Sequence, residues 1–236
     1  MQTRWTMWTA VVVVATLAGC AGDGGSKPGQ SAGDGFADRF EVDRKHFAST
    51  GRNDYFILEP GYEHVYESAD GERLVITVLN ETRPVDGVET RIVQEHESKN
   101  GKVIEVSRNF FAIDKSSGDV YYFGEEVDDY KDGKIVGHGG AWQSGVKGAR
   151  YGLIMPARPR TGQKYYQEIA PGEAMDRAEV VDLTTKLDVP AGKFEKCLRT
   201  METTPLEPKE KEYKIYAPGV GLLKDEDLKL VKHGPR

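Results

Sequence analysis

An all-β fold, a large antiparallel meander curling into a half-barrel or open barrel, is the architecture this sequence predicts. Three observations carry it. Asp70-Gly71, Asn100-Gly101 and Asp132-Gly133 sit between alternating runs, and such pairs supply the positive φ values that two-residue hairpins need. The runs themselves are rich in Val, Ile, Tyr, Phe and Thr, which suit a pleated, half-buried surface. After Phe47 no stretch of useful length follows the helical period.

Taken in order, the domain opens with a short helical turn expected between Phe40 and Phe47. Tyr55 to Leu58 then runs into Glu59-Pro60-Gly61, a turn signal. In Tyr62 to Glu67 alternation places Tyr62, His64 and Tyr66 on one face. Leu74 to Leu79 is apolar on both faces and predicts a central strand covered on two sides. Arg91 to Glu97, Val103 to Ile113 and Val120 to Val127 follow, the last joined to Ile135-Val136. Further strands are expected at Tyr165 to Ala170, Ala178 to Leu183, Thr185 to Val189, Phe194 to Thr203, Glu212 to Tyr216, Leu222 to Lys224 and Leu228 to Val231. The count comes to about ten strands once short runs are merged.

Between Gly137 and Gly162 the rhythm breaks. Seven glycines fall there, together with Trp142 and the segment Met155-Pro156-Ala157. Long Gly-rich connections in compact domains are often binding loops or lids. A tryptophan in one is costly to leave in water. Trp142 and Met155 are therefore the candidate ligand-binding residues, with the loop expected to pack Trp142 over one mouth of the sheet.

The amino end has a different character. Arg4 is the single charged residue before Asp23, and Ala10 to Ala18 is an apolar run of nine residues. A membrane-spanning helix needs roughly 20 apolar residues, so a cleaved secretory leader fits better. Leu17-Ala18-Gly19-Cys20 resembles the lipobox of bacterial lipoproteins. That resemblance implies cleavage before Cys20, lipidation of Cys20 and a membrane partner reached through the anchor, because two or more acyl chains hold stably where one does not. Ala21 at the next position resembles an outer-membrane address, on the periplasmic face of a Gram-negative envelope. Ala21 to Asp38 has six glycines in 18 residues and reads as flexible coil with an end-to-end distance of roughly 25 Å. The expected organisation is a leader at 1–19, a lipidated cysteine and tether at 20–48, and one β domain at 49–236.

Loss of the leader removes Arg4 and leaves 31 basic against 38 acidic residues, a charge of about −7. With no basic run in the chain, nucleic acid is not an expected partner. Of two cysteines, Cys20 is assigned to lipid, which leaves Cys197 without an intramolecular partner. Alternation puts Cys197 on the face of Glu195 and Arg199, so its burial is not fixed by the sequence.

Tyr122-Phe123-Gly124-Glu125, Gly140-Ala141-Trp142 to Met155-Pro156-Ala157, and Tyr216-Ala217-Pro218-Gly219-Val220-Gly221-Leu222 together resemble an uncharacterised group of secreted bacterial β-proteins, over roughly Asn53 to Val231. The group brings no established activity. More loosely, a leader followed by a large antiparallel meander is similar to the LolA/LolB class of lipoprotein carriers, whose half-barrel holds acyl chains.

No motif for catalysis, cofactor or metal survives inspection. The acidic run from Glu125 to Asp132 fails as a calcium loop: counted from Asp128, Tyr130 sits where Asp or Asn is needed and Gly139 where Glu is needed. His138-Gly139-Gly140 resembles an oxyanion segment, but the nucleophile elbow it requires is missing around Ser144. Gly140 to Lys147 misses the phosphate-loop spacing, with Val146 in the lysine position. The histidines at 46, 64, 96, 138 and 233 have no zinc-ligand spacing. The expectation is a lipid-anchored envelope protein that binds an amphiphile or an envelope component without catalysis. The competing expectation is a hydrolase of envelope polymers acting through paired carboxylates such as Glu125, Glu126 or Asp128.

Overall fold

A computed structural model of the chain describes residues 33–236; the leader and the lipobox with Cys20 lie outside the described residues. Eighteen strands and one short 3₁₀ turn, Arg44–His46, make up the regular structure. In order the strands are β1 (Phe47–Ala48), β2 (Gly51–Asn53), β3 (Phe56–Leu58), β4 (Tyr62–Glu67), β5 (Glu72–Val85) and β6 (Val88–Lys99). Next come β7 (Lys102–Asp114), β8 (Val120–Lys131), β9 (Lys134–Gly137), β10 (Trp142–Gln143), β11 (Arg150–Met155) and β12 (Lys164–Tyr166). The last six are β13 (Glu168–Ile169), β14 (Arg177–Val189), β15 (Gly192–Thr203), β16 (Glu212–Ala217), β17 (Gly221–Asp225) and β18 (Leu228–Pro235). The excess over ten comes mainly from short strands flanking the long ones. The Gly-rich stretch after Val136 also carries β10 and β11 within it.

Two of the three expected turns are those the dipeptides demand; between Glu67 and Glu72 the connection is four residues long, and of Asp70-Gly71 only Gly71 takes a positive φ, 88°. Asn100-Gly101 joins β6 to β7 with φ of 50° and 77°, and Asp132-Gly133 joins β8 to β9 with 51° and 73°. A third pair of the same kind, Asp86-Gly87 with φ of 48° and 75°, joins β5 to β6. Every ladder in the main sheet is antiparallel, in the order β12-β14-β15-β16-β17-β18-β4-β5-β6-β7-β8-β11-β13. Because β18 pairs with β4, the last strand joins the earliest strand of that order, and the meander becomes a barrel, nearly closed, with one unsealed seam.

That seam lies between β12 and β13, which are separated in sequence by Gln167 alone, so the backbone itself crosses the gap. Gly152 on β11 allows this crossing: a Cβ there would stand 2.3 Å from the Gln167 carbonyl oxygen. Residues 34–40 lace the two sides together. The Ala37 amide donates to Lys164 O at 3.1 Å, and the Tyr166 amide donates to Ala37 O at 2.9 Å. Asp34 accepts from the Tyr166 hydroxyl at 2.8 Å and from Arg177 at 2.6 Å. On the other side the Tyr151 hydroxyl donates to Phe40 O at 3.0 Å, and Arg150 lies 3.8 Å from Asp38. The stretch read from sequence as tether is therefore packed against the barrel from Asp34 onward, with Phe36 buried.

Alternation sorts the side chains. Tyr62, His64 and Tyr66 do share one buried face, with neighbouring ring centroids 5.0 and 6.1 Å apart. On β5, Leu74 and Val78 point to the core, whereas Val75 and Leu79 are only half-buried, so this strand is not covered on two sides as its composition suggested. Outside β8, Phe47 packs edge-on to Tyr121 and Phe123 at 5.5 and 5.2 Å. Inside, one large apolar cluster includes Phe111, Tyr122, Trp142, Met155 and Tyr165. A smaller one gathers Tyr66, Leu74, Cys197, Leu223 and Leu230. Ile76 and Leu222 touch both clusters.

Candidate functional site

A cavity of about 80 Å³ lies where the two clusters meet. Its apolar wall includes Phe56, Ile76, Val78, Val93, Phe111 and Met155. Its polar side presents His64, Tyr66, Glu95, Lys214, Tyr216 and Asp225. The period of two explains the sorting: Val93 and Glu95 share a face of β6, as Lys214 and Tyr216 share a face of β16. Tyr55 and Phe56 reach the cavity from the β2–β3 hairpin, a separate two-stranded sheet outside the barrel ladder.

Each polar group has a defined state. His64 Nε2 donates to Val220 O at 2.7 Å. Burial holds this imidazole down to about 4, so it is neutral at neutral pH. The Tyr66 hydroxyl donates to Leu222 O at 2.9 Å. Lys214 sits 3.2 Å from Glu202 and 3.3 Å from Asp225. Its burial disfavours the ammonium, but those two carboxylates outweigh that cost and keep it protonated. Burial pushes Glu95 up to about 7, with Lys214 pulling back and Asp225 pushing further up. Asp225 itself is raised to about 6, again by burial first.

Around this wall the interior is acidic. Burial raises Glu105 to about 8, Asp176 to about 6 and Glu212 to about 7. Glu97, Glu125 and Glu168 are driven well above the carboxylate range by burial, and neighbouring carboxyls add to it. Several buried acceptors meet no donor, among them Glu97 Oε1, Glu125 Oε2, Gln167 Oε1 and Asp225 Oδ1. Gln167 Nε2 and Thr200 Oγ1 both approach Glu202 Oε1, at 3.2 and 3.3 Å, which extends the Lys214 network toward the seam. Among the described residues no group of three or more His, Cys, Asp or Glu is arranged to hold a metal ion.

Of the two residues singled out for ligand contact, Met155 lines the cavity and Trp142 does not. Trp142 is buried one layer back: its ring meets Tyr122 edge-on at 5.3 Å, and Tyr122 stacks on the cavity residue Phe111 at 4.7 Å. Gly124 admits it to this position, since a Cβ there would lie 2.3 Å from the Trp142 carbonyl oxygen. The acidic run splits between faces. Glu125 is interior, Glu126 pairs outside with Arg83, and Asp128 pairs with His138 at 3.0 Å, so the three do not face one another across a cleft. Cys197 is fully buried in the smaller cluster.

The sequence reading did not single out Glu95, Lys214 or Asp225. A signal for all three was present, because each alternates with a residue that proves to be core: Glu95 with Val93, Lys214 with Tyr216 and Asp225 with Leu223. No family model, no curated protein and no solved structure matches the chain. Its function has to be read from the cavity and its walls.

Proposed function

We propose that this chain is a membrane-anchored envelope lipoprotein whose barrel binds an amphiphile, acting as a binding or carrier module without catalysis. The observation that carries this reading is the interior cavity, apolar over most of its wall and polar at one side. Ligand sites combine those two features: apolar contact supplies affinity and a few placed polar groups fix orientation. As it stands the space takes a short apolar group. A longer tail requires Tyr55 and Phe56 to move, and they belong to the hairpin that the barrel ladder does not hold. The hairpin is held to the barrel by side-chain packing and by bonds such as Asn53 Nδ2 to Gly118 O and the Gly219 amide to Asp54 O, with no strand ladder, and its tip is the part of the wall proposed to yield.

The test uses the chain carrying Cys20→Ala, which lacks the acceptor thiol and is unchanged over residues 33–236. Hexanol should bind with one-to-one stoichiometry by calorimetry and raise the unfolding temperature. Ile76→Phe, which fills the cavity from β5, should abolish binding while circular dichroism remains that of a β-protein. Absence of hexanol binding, or binding that survives Ile76→Phe, overturns the cavity reading. In cells, Cys20→Ala should release the protein from alkaline-washed membranes; retention there with normal processing overturns the anchor.

A further inference from the structure

We infer that the cavity selects amphiphiles bearing a primary amine head, which would seat as an ammonium between Glu95 and Asp225; this rests on the cavity reading above. The polar side of the cavity carries the carboxyls of Glu95 and Asp225 and a single cation, Lys214. That cation is already engaged by Glu202 and Asp225. Asp225 is 1% exposed and its Oδ1 meets no donor, so an acceptor aimed at the cavity is left unfilled. A buried acceptor without a donor loses its hydration and gains nothing in exchange. An ammonium brings three donors and a compensating charge.

The opposite head group fares badly. A carboxylate would meet Asp225, ionised above about pH 6, together with Glu95 at the wall, while Glu97, Glu105 and Glu125 on β6, β7 and β8 are kept protonated by burial and offer it no compensating positive charge. His64 offers it no charge, because the imidazole is neutral and gives its N–H to Val220 O. Like charges in a poorly solvated interior repel strongly, so the site excludes anions more firmly than it excludes neutral heads.

Proton exchange provides a signature. Glu95 holds its proton up to about pH 7 because it is buried, and an ammonium beside it favours the ionised form. Besides burial, the groups that act on it are Lys214 on β16 and Asp225 on β17; Glu97 on its own strand, Glu105 on β7, Glu125 on β8 and the hydroxyl of Tyr66 on β4 are near enough that Glu95 pushes each of them up. Amine binding near neutral pH should therefore release protons, and alcohol binding should not.

The experiment titrates hexylamine, hexanol and hexanoate into the Cys20→Ala chain by calorimetry, in two buffers of different ionisation heat. Hexylamine should bind about tenfold tighter than hexanol, hexanoate more weakly than either, and only the amine should show proton release. Glu95→Gln should cut hexylamine affinity about tenfold and leave hexanol unchanged. Equal binding of amine and alcohol, a preference for hexanoate, or an amine preference that persists in Glu95→Gln defeats the head-group inference and leaves the cavity reading standing. Failure of all three ligands defeats the cavity reading itself. If Glu95→Gln does not fold, the ranking of the three ligands and the proton release on the parent chain decide alone.

Discussion

The indole N–H of Trp142 donates to the buried carboxyl of Glu168 at 2.5 Å. This bond joins β10 to β13 beside the seam, and it holds the ring more as a seated plug than as a swinging gate. Trp142→Phe keeps most of the apolar contact and leaves Glu168 without its donor, at an expected cost of about 1–3 kcal/mol. Trp142→Ala should cost about 3–5 kcal/mol in urea unfolding. Trp142 is the sole tryptophan of residues 33–236, so in a chain carrying Trp5→Phe and Trp8→Phe its emission can be read directly. Saturating hexanol should leave the emission maximum in place; a red shift would mean that ligand entry lifts the ring from Glu168 and that it does gate the cavity.

The interior acids give stability an unusual pH dependence. Glu95, Glu105, Asp176, Glu212 and Asp225 all titrate higher in the folded chain than their ordinary values of 3.8 or 4.5. The native state then holds more protons than the unfolded one, so stability is present below about pH 4 and is lost as pH climbs through the folded values toward about 8. His64 works the other way, since its neutral folded form gains stability as pH rises from about 4 to 6.5. Five groups outweigh one. Below the carboxylate range the exposed Glu59 and Asp70, held low by hydrogen bonds from Arg52 and Lys99, lose their contribution on protonation. Calorimetric unfolding temperature should therefore peak near about pH 4 and fall by about pH 8, a loss on the order of a few kcal/mol. Glu105→Gln should flatten the upper part of that slope. A temperature that climbs steadily from about pH 5 to 8 would contradict the account.

Gly152 sets how closely the two edges of the seam approach. Its added Cβ in Gly152→Ala would fall 2.3–2.7 Å from the carbonyl oxygens of Gln167 and Tyr166, which are backbone atoms with nowhere to go. The expected outcome is a destabilisation of about 2 kcal/mol or more, with amide exchange speeding up first in β12 and β13. Protection lost uniformly around the barrel would show that the seam is not a separate opening unit.

Much of the architecture was legible because hairpin chemistry is local. Asn100-Gly101 and Asp132-Gly133 needed only their own φ values to be recognised. Asp86-Gly87 turns the chain just as tightly but was hidden, because Asn80 to Pro84 interrupts the alternation ahead of it and β5 shifts register there. Cys197 resisted for a related reason. Lys196 takes φ of 55°, a bulge that turns both Cys197 and Leu198 into the core and breaks the period of two. The site was the least legible part. Alternation says which residues share a face, but Glu95 and Lys214 are charged, and charge on a strand normally marks the outside. Closure of the barrel, a long-range event, turns those faces inward, where Lys214 is held by Glu202 and Asp225 on the two strands beside it.

The lacing at residues 34–40 has a mechanical meaning. Asp34 and Ala37 grip β12 and β14, and Asp38 and Phe40 grip β11. A pull on the amino-terminal side is delivered to the one joint of the wall that backbone ladders do not seal, before it reaches any continuous strand. The barrel thus has a drawstring, laced through its one open joint on the side of the chain that leads in sequence to Cys20.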